Sequence, residues 1–357
     1  MTIWEVIKKY LPILARSLSL DLIQEPVFTN ATSFSKTEKT NKLISDENKL
    51  ISDENEVNRP HKTVPNITSA ISKPLDYCNS IALRNIKTLL GFILKMTSRQ
   101  VFLNHNKQLT QDELEIFQNL VDRLLNHEPI SYIVGFKPFF ESDFVVNPNV
   151  LIPRDDSEIL VETVIKDIKS NYRYDEISTY NKNVKIFEFG VGSGCLILSI
   201  IKHLNNNQYK NISGIGIENS ENALQVAKIN QEKLSIYNVN FFNHDWNIKT
   251  DFEKCDIIIS NPPYISKKEI LHSSVVNYEP SSALFADEDG LKDYLTILDL
   301  HQNIMKPNCI IYFELGAFTI APLLEKLKLR SNFMVIGIIK DLGGIDRILK
   351  LQYLNQK

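Results

Sequence analysis

Residues 184–198, VKIFEFGVGSGCLIL, decide the fold. The first six, from Val184 to Phe189, form an apolar run of strand length. Three glycines follow at alternate positions, Gly190, Gly192 and Gly194, with Val191 and Ser193 between them. From Cys195 to Leu204 the apolar positions take helical spacing. A strand that turns through glycines into a helix is the opening unit of an α/β sheet. Glycine lets the backbone come close to a ligand, and a helix N-terminus offers free N–H donors. The spacing is G-x-G-x-G, not the G-x-G-x-x-G of dinucleotide binders. Taken alone, it suits a tight structural turn as well as a binding loop.

The alternation continues outward from this unit. Residues 212–217, 239–242, 255–260, 309–315, 333–340 and 347–351 read as strands, and residues 221–233 and 291–305 as helices. Strands alternating with helices predict a mostly parallel sheet covered on both faces.

Upstream, residues 129–153 hold the strand formers Tyr132, Ile133, Val134, Phe136, Phe139, Phe140, Phe144, Val145 and Val146, broken by Gly135, Pro138 and Pro148. This composition predicts a β-hairpin linker. Residues 1–128 read as a small helical domain. Helical spacing marks residues 3–22, 81–95 and 111–125, and Thr110 with Glu113 forms a capping-box pattern ahead of the last. Between the first two lies an insert, residues 26–74, rich in Ser, Thr, Asn, Lys and Pro. The unit NKLISDE is written twice within it, at 41–54. Such composition predicts a disordered loop.

Length and composition agree with two domains: 357 residues, 43% hydrophobic and 23% charged. Lys plus Arg is 40 and Asp plus Glu 43, a net charge of -3 that argues against a strongly basic nucleic-acid binder. The cysteines Cys78, Cys195, Cys255 and Cys309 form no C-x-x-C pair, so neither a zinc ribbon nor a disulfide scaffold is expected. No apolar stretch of about 18 residues occurs, so no membrane span is expected. A cytoplasmic protein without a metal centre fits best.

Four motifs carry chemistry. The glycine loop is the first. Glu218 is the second, at the end of the next strand, 24 residues beyond Gly194; an acid there can accept from both hydroxyls of a ribose. His244-Asp245-Trp246 is the third. Asp245 offers an acceptor for an adenine amino group and Trp246 a wall for a purine, or the pair is a helix cap beside a core tryptophan. The fourth is Asn261-Pro262-Pro263-Tyr264, straight after an apolar strand. An amide or aromatic amine nitrogen is a poor nucleophile because its lone pair is delocalised. The Asn261 side-chain oxygen can accept one of its N–H groups and the Pro262 carbonyl the other, which aims the nitrogen at a methyl donor. Tyr264 offers a π-face to a planar group near a sulfonium cation.

With these motifs quoted, the chain resembles the release factor glutamine methyltransferases, the PrmC/HemK family. The resemblance rests on Asn261 to Tyr264 and on Glu128-Pro129-Ile130-Ser131-Tyr132-Ile133-Val134-Gly135. It rests also on Val150-Leu151-Ile152-Pro153-Arg154, Tyr278-Glu279-Pro280, Asp289-Gly290-Leu291, Glu314-Leu315-Gly316 and Asp341-Leu342-Gly343-Gly344. The glycine loop carries Val191 where the family has a small hydroxyl residue, and Asp155 replaces a proline. The resemblance implies a seven-stranded Rossmann-like class I methyltransferase sheet spanning residues 154–357, with an N-terminal helical substrate-docking domain. It also implies S-adenosyl-L-methionine as cofactor and class I peptide chain release factors as partners. The methyl acceptor is then the glutamine amide of their Gly-Gly-Gln loop. Gly190, Val191, Gly192, Ser193, Gly194, Glu218, Asp245, Trp246 and Asn261 are expected at the donor, and Asn261, Pro262, Pro263 and Tyr264 at the substrate amide. Methylation of an exocyclic amine of DNA or RNA stands as the rival activity, with strong salt dependence as its mark. A non-catalytic binding module, indifferent to Asn261→Ala, is the rival of another class.

Overall fold

The structure is a computed structural model that describes residues 1–24, 67–171, 183–209, 211–249 and 251–354. The chain divides into two compact units, Met1–Leu125 and Asn126–Lys357.

The first unit holds α1 (Ile3–Gln24), α2 (Ile67–Leu94), α3 (Ser98–Leu103) and α4 (Gln111–Leu125). On α1, Ile3, Val6, Ile7, Tyr10 and Leu14 are buried, the spacing of one helical face. On α2 that face is Cys78, Ala82, Ile86, Leu89 and Leu90. The Tyr10 ring meets Phe117 of α4 edge-on at 5.2 Å. Thr110 and Glu113 close their capping box: the Glu113 carboxylate accepts from Thr110 N–H at 2.8 Å and Thr110 Oγ1 accepts from Glu113 N–H at 3.1 Å. Of the insert expected at 26–74, residues 26–66 lie outside the described residues. Residues 67–74 belong to α2, so the helix starts well before the residue 81 expected from apolar spacing.

The second unit opens with α5 (Ile130–Val134) and the hairpin β1 (Phe136–Phe139) and β2 (Ser142–Val145). Tyr132, Ile133 and Val134 were expected in a strand and instead form a helical turn. All three side chains are buried, which a strand with one wet face would not allow. Gly135, at φ 80°, ends the turn and donates to the Ser131 carbonyl. The hairpin itself forms, with Phe139 paired to Ser142.

Then come α6 (Glu158–Asn171), β3 (Val184–Phe189), α7 (Cys195–Asn206), β4 (Ile212–Glu218), α8 (Glu221–Lys233), β5 (Val239–Asn243) and β6 (Cys255–Ser260). The short strands β7 (Ile265–Ser266) and β8 (Phe285–Ala286) pair with each other, with α9 (Ser273–Val276) between them. The chain closes with α10 (Lys292–Leu300), β9 (Met305–Glu314), α11 (Ile320–Leu327), β10 (Phe333–Lys340) and β11 (Asp346–Tyr353). The helix expected over 291–305 stops at Leu300. His301 is fully buried there, and Met305 already pairs with Cys255 in the sheet.

Seven strands form one sheet in the order β10-β11-β9-β6-β3-β4-β5. All neighbours are parallel except at β11, which runs against both β9 and β10. This is the expected seven-stranded, mostly parallel sheet. Alternate residues feed two cores, one on each face. Ile186, Ile257 and Ile259 point to the side of α6 and α7; Phe187, Phe189 and Ile258 point to the side of α10 and α11. From β3 the chain builds outward to β4 and β5, then returns to add β6 and β9 on the other side. The order therefore reverses between β3 and β6, where α/β sheets open a crevice at their carboxyl ends.

Candidate active site

At that reversal lies a cavity of about 830 Å³, open to solvent. The loop after β3 supplies its floor. Gly190, Gly192 and Gly194 all have positive φ, 75°, 54° and 78°. At Gly190 there is a second constraint, since a Cβ would lie 2.8 Å from the Trp246 ring. Glu218, at the end of β4, is held by two backbone donors: Oε2 accepts from Gly192 N–H at 2.9 Å and Oε1 from Ser220 N–H at 3.0 Å. The carboxylate is thereby fixed at the cavity wall, with lone pairs left for a diol. Trp246 is held at both ends. Its Nε1 donates to Asp293 Oδ1 at 3.0 Å, and its carbonyl accepts from His301 Nε2 at 2.7 Å. Burial pulls the His301 ring below its ordinary range, which keeps it neutral. Glu188, also on the wall, is fully buried and accepts from Ile197 N–H at 3.3 Å. Burial pushes its carboxyl well up, the Ile197 contact opposing and the Glu218 charge adding.

The turn after β6 forms the facing wall. Ser260 Oγ donates to the Phe189 carbonyl at 2.8 Å, so the ends of β6 and β3 are tied together. Asn261 follows, half-buried, and its Nδ2 donates to Ser157 Oγ at 3.5 Å. With that end committed, Oδ1 is the free acceptor. Pro262 and Pro263 are buried. The Tyr264 ring lies on Gly316, where a Cβ would come within 2.6 Å. Burial, followed by the Glu314 charge, pushes its hydroxyl up to about 12.

Of the residues expected at the site, Gly190, Val191, Gly192, Ser193, Glu218, Trp246, Asn261 and Pro263 line the cavity. Gly194, Asp245, Pro262 and Tyr264 do not. Gly194 is the N-cap of α7, packed on Leu198. Asp245 closes a local turn, its Oδ1 accepting from both Asn247 N and Nδ2 at 2.8 Å. Pro262 is buried, and the partly buried Tyr264 ring packs against the core under α10 and α11. Val191, bulkier than the family's usual residue, fits because Gly216 faces it, where a Cβ would come within 2.5 Å.

Several lining residues were not singled out as site residues: Arg154, Ser157, Glu188 and Pro280 among them. Arg154 donates to Glu279 Oε1 at 2.7 Å, and Glu279 Oε2 accepts from Ile152 N–H at 3.1 Å. Both partners stood inside stretches quoted for the resemblance, residues 150–154 and 278–280. The signal was an unexplained charge in an apolar context. Among the described residues no group of three or more His, Cys, Asp or Glu is placed to hold a metal, and no helix is long and apolar enough to cross a membrane.

Comparison with known proteins adds the following. The PrmC N-terminal domain family matches residues 79–135 and a methyltransferase domain family matches residues 180–337. Over 305 residues the chain is 34% identical to a bifunctional methyltransferase of Rickettsia prowazekii, covering 81% of this chain and 58% of that protein. The chain thus spans little more than half the length of these longer relatives. It is 32% identical over 291 residues to a release factor glutamine methyltransferase of Francisella tularensis, covering 81% of this chain and 97% of the relative. A release factor glutamine methyltransferase of Buchnera aphidicola is 36% identical over 263 residues, with 73% and 88% covered.

Proposed function

We propose, from the premise that the chain belongs to the release factor glutamine methyltransferase family, that it methylates the glutamine side-chain amide in the Gly-Gly-Gln loop of class I peptide chain release factors. S-adenosyl-L-methionine, when bound, supplies an electrophilic methyl group. The cavity fits that donor: a glycine floor that side chains would fill, a fixed carboxylate for the ribose diol, and an indole wall for the base. Gly190, Gly192, Glu218 and Trp246 would hold it. The reading places the reaction in the cytoplasm.

One observation carries the reading. Asn261 stands on the cavity wall with its Nδ2 bound to Ser157. That leaves its Oδ1 as the acceptor we assign to the substrate amide. A primary amide has two N–H groups, and Asn261 Oδ1 with the Pro262 carbonyl supplies two acceptors. Holding both turns the nitrogen lone pair toward the methyl group, and such orientation can contribute several kcal/mol to a transfer. The chain needs no nucleophile of its own. Cys195 fits that absence: burial pushes its thiol far up, so it is not a thiolate.

The test is a methyl-transfer assay with S-adenosylmethionine and a purified release factor, the Gly-Gly-Gln peptide being read by mass spectrometry. One methyl on the glutamine is expected, with a loss of at least about 100-fold in Asn261→Ala. Donor binding without any methylated glutamine would defeat the assignment.

A further inference from the structure

The acceptor assigned above gives an active site little to hold. Two of the three residues of a Gly-Gly-Gln loop have no side chain, so binding energy beyond the glutamine amide must come from the body that carries the loop. That body has to lie over the carboxyl edge of the sheet, where the Asn261 turn follows β6. Along that edge β6 is succeeded by β9, β11 and β10, each about 4.8 Å from the next. The turn after β9 and the turn joining β10 to β11 both stand on this edge, the second roughly 14 Å across the sheet from Asn261.

Both turns carry apolar side chains outward. Phe318 is 63% exposed, Leu342 103% and Ile345 43%. Single exposed apolar residues are ordinary on a surface. These differ in standing on turns that are held closed from within. The Gly316 carbonyl accepts from Thr319 N–H at 3.2 Å and from Thr319 Oγ1 at 2.9 Å, and Thr319 is buried. In the other turn Asp341 Oδ1 accepts from Ile345 N–H at 2.9 Å, its carbonyl from Gly344 N–H at 2.9 Å, and its Oδ2 from Arg347 Nη2 at 2.9 Å. Arg347 Nη1 donates to the Leu315 carbonyl at 3.2 Å, which joins the two turns. A side chain presented from a fixed turn loses little freedom when a partner covers it.

We propose that Phe318 and Leu342, with Ile345 beside them, form an apolar docking rim for the release factor body next to its Gly-Gly-Gln loop, and that this rim sets affinity for the acceptor. This rests on the function proposed above. The rim is continuous with the Asn261 turn: the Tyr264 ring lies on Gly316, and Gly316 opens the turn that carries Phe318. A protein that delivers its glutamine to Asn261 therefore passes over the rim, and a second copy docked there would obstruct it. The charges of the β10–β11 turn are paired within the chain, Arg347 with Asp341 at 2.9 Å and with Asp156 at 3.1 Å, and Lys340 with Asp346 at 2.6 Å. The surface left for a partner is apolar, and so is the patch it fits. The rim touches no reacting atom, so it holds the ground state and the transition state alike and shows in KM, not in kcat.

The experiment measures kcat and KM of the full chain with a purified release factor, together with S-adenosylmethionine affinity by calorimetry and the sedimentation velocity of the chain alone. Wild type is compared with Phe318→Ser, Leu342→Ser, Phe318→Leu and Leu342→Met. Each serine variant should raise KM for the release factor at least about fivefold, with kcat and donor affinity within about twofold of wild type. The two apolar replacements should keep KM within about twofold. Both positions are exposed, so these substitutions leave the fold intact. A fall in kcat in place of the rise in KM, or an equal loss of donor affinity, would overturn the proposal. A wild-type dimer that Leu342→Ser disperses gives the rim to a second copy and overturns it as well. A wild type that methylates, with either serine variant equal to it in KM, defeats this proposal alone. A wild type that binds donor but methylates no release factor defeats the function it rests on.

Discussion

Glu314, 1% exposed at the end of β9, has a measurable cost. Its carboxyl ordinarily titrates at 4.5 and in the folded chain near 7, so the folded state holds the proton more tightly than the unfolded state does. Stability from this group is complete below 4.5 and is lost as pH rises toward about 7. Glu314→Gln, neutral throughout, should therefore raise Tm above neutrality by an amount worth roughly 1–3 kcal/mol, the difference closing toward acid pH. Melting curves across that window check the sign; a variant less stable than wild type at alkaline pH would contradict it. At this scale the sequence was half legible. Gly190, Gly192, Glu218, Trp246 and Asn261 line the cavity, and what marked them was their joint pattern after successive strands, the first four being weak alone. The burial of Glu314 could not be read: Glu314-Leu315-Gly316 carries the resemblance, but nothing in it shows that the carboxyl lies inside the molecule. Asp245 was expected at the adenine because a carboxylate beside a tryptophan suits a purine. Nothing in the sequence showed that Asn247, two residues on, would occupy its Oδ1.

Elements read well wherever a single period ran from breaker to breaker. Residues 221–233 and 255–260 match α8 and β6 residue for residue. Where tertiary contacts chose between periods, the reading failed. Tyr132, Ile133 and Val134 are strand formers, but three buried side chains in a row can be seated by a helical turn as well as by a central strand. Helix α10 ends without a glycine or proline, the first proline being Pro307, and what ends it is the buried His301 reaching back to Trp246. The segment joining β2 to α6 has no element but a single 3-10 turn, Asp155–Ser157, and its middle is pinned by one acid. Glu279, 5% exposed, holds Ile152 N–H and the Arg154 guanidinium. Glu279→Ala would leave a buried donor and a half-buried cation unpaired. We expect a loss of about 2–4 kcal/mol in stability, measured by urea unfolding, together with weaker donor binding because Arg154 lines the cavity. Unfolding free energy within about 0.5 kcal/mol of wild type would show that the segment is held by something else.

For the molecule as a whole, the sheet topology was legible because strands and helices alternate and the glycine loop marks the first strand of the series. The break into two units was legible only in outline, since the insert hides where the second helix begins. The chain has two tryptophans, and the units share them evenly: Trp4 stands on α1 of the first unit and Trp246 on the cavity wall of the second. Trp4 is 47% exposed, whereas Trp246 is partly covered and bonded to Asp293. Each unit thus carries its own chromophore. With Trp4→Phe, emission should report only on the second unit and change on adding S-adenosylmethionine; with Trp246→Phe, it should report only on the first and stay unchanged. Comparing the two denaturant titrations would tell whether the halves melt together or in turn, with no label added to the chain.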